Sequence, residues 1–144
     1  MFRYALLIAL IAPLGCADAA GPEELNPSPS QGAVAGVGLS VSGTSYSHGD
    51  TLEVRLVNGG AENVGYNLCS SWRERETEDG WERIESFRMC TAELLSLPPG
   101  QTASWREPVD PEWGSGRYRV VTRVWPGGRS AAVALATNPF AVAP

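Results

Sequence analysis

Catalysis at neutral pH usually needs an imidazole or a perturbed carboxyl beside a nucleophile, and this chain holds one histidine, His48. It lies in Ser45-Tyr46-Ser47-His48-Gly49-Asp50, a polar run between two apolar ones, where a solvated turn histidine is expected. A serine or cysteine triad would have to use it. The chain has no G-x-S-x-G, no H-E-x-x-H, no C-x-x-C and no glycine-rich phosphate loop before a helix. Glu78 with Asp79, and Asp110 with Glu112, fall in turn-like segments, where acids are common without any glycosidase or calcium role. Copper would need clusters of histidine and methionine, and one of the two methionines is Met1. The reading is no catalytic residue, no metal site and no cofactor.

Cysteine is the remaining reactive type, and it occurs at Cys16, Cys69 and Cys90. A redox pair would want C-x-x-C spacing, so Cys69 and Cys90 read as a structural disulfide. Their bond would close about 20 residues and stabilise by roughly 3 kcal/mol in the loop-entropy model. It would pin a charged hairpin back onto the rest of the domain. Cys16 belongs to a different segment. Arg3 and the apolar residues 5–12 form the n- and h-regions of an export signal, too short to span a bilayer. Pro13-Leu14-Gly15-Cys16 resembles the lipobox of bacterial lipoproteins, which implies lipid attachment at Cys16. The alternative is ordinary cleavage after Ala17-Asp18-Ala19, which also removes Cys16 and gives a soluble secreted or periplasmic product. Residues 20–34, rich in proline and serine, read as a flexible tether.

The chain has 144 residues, so the 35–144 remainder is room for one domain. Hydrophobic residues at 43% suffice for a core, and 16 glycines with 11 prolines between short apolar runs disfavour a helical bundle. All 11 basic residues are arginine, against 16 acids; a net charge of -5 disfavours nucleic acid as a partner.

What must position any site is a set of short strands. Val37, Leu39 and Val41 alternate with small polar residues; Leu52, Val54 and Leu56 alternate with Glu53 and Arg55. Val64 to Leu68, Leu95 with Leu97, and Ala103 with Trp105 follow the same period of two. Tyr118, Val120 and Val124 share one face, with Arg119 and Arg123 opposite; Val133, Leu135, Phe140 and Val142 close the chain. Between them, the pattern Arg73-Glu74-Arg75-Glu76 suits a solvated edge strand, in a hairpin that turns at Asp79-Gly80. Trp81 is expected to cover the sandwich edge, with Trp72 and Trp105 packing at the core or edge. Turns every 8–12 residues predict an all-β fold, a single two-sheet antiparallel β-sandwich of 7–8 strands, which the resemblance described next makes immunoglobulin-like.

Asn67-Leu68-Cys69, Asp79-Gly80-Trp81, Leu97-Pro98-Pro99-Gly100-Gln101, Gly116-Arg117-Tyr118-Arg119 and Asn138-Pro139-Phe140 occur in that order. The ordered set resembles bacterial immunoglobulin-like domain proteins of the uncharacterised exported or lipoprotein type. A looser similarity runs to the bacterial intracellular proteinase inhibitor family, from which the chain departs by its export signal and cysteines. Tyr118 reads as a structural tyrosine corner, bonding back across residues 108–116.

Binding is what remains. With an immunoglobulin-like strand order, residues 58–63, 97–101 and 125–129 form loops at one end. Asn58, Asn63, Pro99, Trp125 and Arg129 are the candidate binding residues there, Trp125 and Arg129 being types enriched at hot spots. The alternative for Trp125 is simple packing at a hairpin tip. The expectation is a non-catalytic exported domain, lipid-anchored in a bacterial envelope, for protein interaction or structural support. Its partner would be an unknown envelope protein or glycan, with membrane contact only through the anchor. The alternatives are a protease inhibitor using a projecting loop, or a glycan-binding domain using Trp113 or Trp125.

Overall fold

The computed structural model describes residues 34–128 and 131–144. Cys16, the leader, Arg129 and all but the last tether residue lie outside the described residues. Val34, placed in the tether from sequence, packs against the core beside Val37.

Strands β1 (Val37–Val41), β3 (Thr51–Asn58) and β8 (Thr102–Pro108) form a three-stranded antiparallel sheet in the order β1-β3-β8. The larger sheet runs around β9 (Gly116–Pro126), whose eleven residues give it two partners on each side. On one side lie β10 (Val133–Ala136) and β11 (Phe140–Ala143), successive pieces of one line. On the other lie β4 (Val64–Tyr66) and β5 (Trp72–Thr77), interrupted by a 3-10 turn over Leu68–Ser70. The next line is again broken: β6 (Gly80–Ile84) pairs with β5, and β7 (Leu95–Leu97) pairs with β4. Counted by line, the sandwich has the predicted number of strands. Residues 85–94 bulge out between β6 and β7 without regular structure.

Three sequence expectations change. Ser45–Ser47, read as part of a turn, is strand β2, which pairs in parallel with β11 and buries Tyr46 against Phe140. Three residues with polar flanks are too few to show a period. The Arg73-Glu74-Arg75-Glu76 pattern is not a free edge either. Strand β5 lies between β6 and β9, and Glu74 and Arg119 are buried against each other on the sheet's outer face. The hairpin therefore belongs to the sheet rather than projecting from it. Its loop residues are Glu78 and Asp79, with Gly80 closing it at φ 122°, a value L side chains rarely adopt. Alternation alone cannot show that opposite charges in two strands face each other.

Between the sheets, Leu52, Val54, Val109, Tyr118, Val120 and Phe140 form one core cluster, and Leu56, Val64, Leu97, Val124 and Leu135 the other. Burying each such side chain contributes roughly 1.5–3 kcal/mol. Tyr118 also ties the fold together through its hydroxyl, which donates to the carbonyls of Trp113 and Gly114 in the 3-10 turn Pro111–Trp113 and its cap. No helix among the described residues is long and apolar enough to cross a membrane.

Candidate functional site

The three loops expected to converge do lie together at one end of the sandwich. Asn58 ends β3 fully buried, and its amide nitrogen donates to the carbonyls of Leu97 and Glu62, both at 2.8 Å. Its side-chain oxygen accepts from the Gly60 amide at 3.0 Å. The Gly100 amide, next to Pro99, donates to the Asn58 carbonyl, and the Gly127 amide donates to that of Asn63. Gly36 comes so close that a Cβ there would sit 2.7 Å from the Gly60 nitrogen. Asn58 is thus the clamp of this end, its polar atoms satisfied within the protein. Asn58→Ala should lower the unfolding free energy by about 2–3 kcal/mol, since it removes the side-chain donor to the buried Leu97 carbonyl. Chemical denaturation measures the loss.

Trp125 sits on the outer face here, half-buried beside Gly65 and Leu94. With Glu62, Asn63, Leu95 and Gly128 these residues line an open cleft of about 650 Å³. The other candidate aromatic does not reach a surface. Trp113 is 8% exposed, packed on Tyr118 and covered by the Arg73 guanidinium 4.0 Å from its ring centre. Its burial removes it as a glycan platform; a loop position says nothing about which way an indole points. Burial also lowers the pKa of Arg73, against the raising pull of Tyr118 and Asp110.

The surface that sequence reading passed over is the strap of residues 85–94. Phe87 and Met89 are fully exposed, and Leu94 and Leu95 are about half so. Of the exposed large hydrophobic side chains among the described residues, only Val57 lies away from this stretch, Leu95 being the first residue of β7 directly after it. The exposure is held in place. Cys90 is bonded to Cys69, and the Asn67 amide donates to the carbonyls of Thr91 at 2.8 Å and Glu93 at 2.9 Å. Arg88 turns inward between the sheets, donating to the Glu107 carboxylate and to the Cys69 carbonyl, with its guanidinium near the Trp105 ring. Burial, and then the charge of Arg73, lower its pKa. The alternation is outward at Phe87 and Met89, inward at Arg88 and Cys90. That period of two was visible in the chain, but the surrounding charges hid it.

On the outer face, Glu74 accepts from Arg119 Nε at 2.7 Å and from Trp72 Nε1 at 2.9 Å, while Trp81 lies 4.4 Å from the Arg119 guanidinium. Trp81, on the edge strand β6, and Trp72 therefore cover charges on the sheet's outer face. Arg123 and Arg83 both stack on Trp72. His48 lies in the β2–β3 turn, and its Nε2 meets no hydrogen-bond partner among the described residues. No three metal-ligating side chains come together among those residues.

The model of one family, described as a bacterial Ig-like domain, matches residues 34–139. No curated protein matches the chain. Among solved structures, an uncharacterised protein from Bacillus anthracis is similar at 14% identity, over 73% of this chain and 81% of that one, with a TM-score of 0.41. An alkylpurine DNA glycosylase from Pseudomonas fluorescens, bound to DNA with an abasic-site analogue, is similar at 14% identity and TM-score 0.41. That match covers 76% of this chain and 31% of the glycosylase. The sporulation control protein of Bacillus subtilis is similar at 16% identity and TM-score 0.40, over 75% of this chain and 49% of that one.

Proposed function

The chain belongs to the bacterial Ig-like domain family, and from that membership we propose a non-catalytic, exported protein-interaction module, lipid-anchored through Cys16 in the cell envelope. One observation carries the interaction reading: within nine residues, Phe87, Met89 and Leu94 of the strap and Leu95 at the start of β7 are exposed, and the Cys69–Cys90 bond ties the strap down. Scattered apolar side chains are normal on a surface, whereas a tethered group of them marks a contact site. Holding the strap in advance lowers the ordering cost of association. The anchor and address rest on the leader and on the lipobox-like Pro13-Leu14-Gly15-Cys16.

The test has two arms in cells carrying the full chain. Intact mass of the membrane fraction should show a lipid increment on a chain beginning at Cys16; an unlipidated mass beginning at Ala20 overturns the anchor. A photo-crosslinking residue at position 87 should give an adduct of discrete mass that purified domain competes away. The same residue at Arg55, exposed on the opposite sheet, should give none. The double change Phe87→Asp, Met89→Asp should abolish the adduct and leave the melting temperature unchanged, because neither side chain is packed.

A second reading, blockade of a protease by a projecting loop, is favoured by the strap's alternation, which presents Phe87 and Met89 from a disulfide-anchored segment. Chymotrypsin, whose pocket takes such side chains, is the probe. Inhibition by micromolar domain that is lost in Phe87→Ala would put this reading first.

A further inference from the structure

A second feature lies on the other side of the disulfide. Between it and the β5–β6 hairpin is a cleft of about 230 Å³, lined by Ser70, Ser71, Ser86, Arg83, Arg88 and Trp72 with the two half-cystines and Ile84. Its lining contains two arginines, three serines and no acid, in a chain of net charge -5. The Ser71 hydroxyl oxygen is out of solvent and has no hydrogen-bond partner. Arg83 lies across the Trp72 ring at 4.8 Å, and its ion pair with Glu85 is loose at 4.0 Å, the Glu85 side chain being 90% exposed. Arg88 is committed to Glu107 and the Cys69 carbonyl, which compensate its charge, so Arg83 is the cation this cleft offers.

We propose that this cleft binds a phosphate group, held by the Arg83 guanidinium and the Ser71 and Ser86 hydroxyls. A buried hydroxyl without a partner costs free energy until something bonds it, and a guanidinium resting on an aromatic ring is positioned in advance. A phosphate oxygen supplies the acceptor, and its charge pairs with Arg83, whose carboxylate contact is the loose one to Glu85. A carboxylate, with two oxygens, serves fewer of these donors. The phosphate could be free or belong to a lipid headgroup.

Backbone amide shifts of the domain, titrated with inorganic phosphate at ionic strength matched by chloride, test the proposal. The expected result is saturable movement of the Ser70, Ser71 and Ser86 amides with a millimolar midpoint. Arg83→Gln should weaken it about tenfold and Ser71→Ala severalfold, while Arg123→Gln, outside the lining, leaves it unchanged. The arginine variants remove partly or fully exposed side chains, and their amide spectra report whether the fold is kept. Vesicles of phosphatidylglycerol form the second arm: tighter association with them than with phosphatidylcholine vesicles, lost in Arg83→Gln, assigns the headgroup as the source. No saturable shift by about 50 mM phosphate together with no vesicle binding overturns the site, as does binding indifferent to Arg83→Gln. Loss of the crosslink at position 87 bears on the protein-interaction reading and leaves this result untouched.

Discussion

Glu74→Ala should lower the unfolding free energy by about 3–5 kcal/mol, the cost of leaving a buried charge without its partner. The side chains of Arg119 and Glu74 are 6% and 4% exposed, and the Glu74 carboxylate also accepts from the Trp72 indole. With Glu74 gone, Arg119 keeps its charge but loses both contacts to Oε2, at 2.7 Å and 2.6 Å, under the cover of Trp81. The Trp81 indole, carried by β6, lies over the guanidinium, so water reaches it poorly. The control is a double change. Glu74→Leu with Arg119→Met removes both charges and should return to within about 1 kcal/mol of the parent, because replacing a whole buried pair is often neutral. Glu53→Ala, which breaks the exposed pairs to Arg55 and Arg106, should shift stability by less than about 1 kcal/mol. Urea denaturation reads all three through the midpoint, with the slope unchanged if the two-state transition is kept. A single-variant loss as small as that of Glu53→Ala would show that the Arg119 charge finds solvent.

The second large effect is expected from the disulfide. The bond joins residues 21 apart with Cα atoms 5.7 Å from each other, and Cys90→Ser should cost about 3 kcal/mol by freeing the unfolded chain. The parent protein under reductant should lose the same amount. In the folded state the damage should be local. The strap sits between β6 and β7, each of which is held by its own ladder to β5 and β4. Hydrogen exchange should therefore quicken over residues 85–94 while amides of β9 keep their protection. Asn67 still holds the strap at Thr91 and Glu93, and strap residue Arg88 still binds Glu107 of β8, so a loss below about 1 kcal/mol would mean that these contacts already constrain it. The same variant weakens any surface that depends on Phe87 and Met89 being presented, which links stability to the interaction proposed above.

Much of this architecture was legible in the chain. The alternations at Leu52-Val54-Leu56 and Tyr118-Val120-Val124 are strands with one face in the core, because a period of two in apolar residues leaves few other ways to bury them. The pairing of Cys69 with Cys90 followed from spacing. The closeness of residues 58–63, 97–101 and 125–128 followed from strand order, since loops at one end of a sandwich must meet. Asn58 itself was legible only as a turn residue. Its role as a buried clamp depends on the Leu97 carbonyl, 39 residues away.

What only the tertiary structure decided was the company each polar side chain keeps. Arg119 looks solvated from its neighbours in sequence, and Trp113 looks like a loop aromatic; both are buried, because Glu74 and the Trp81 ring cover the first and an arginine from β5 lies over the second. The strap shows the converse. Phe87 and Met89 have core-like chemistry, yet Arg88 and Cys90 take the inward places and leave them outside. Hydrophobic periodicity is a local property, readable along the chain, so the sequence determined strands, turns, the sandwich and the covalent tie. Charge burial and surface presentation are set by pairings between distant segments, and those exist only once the sheets have closed.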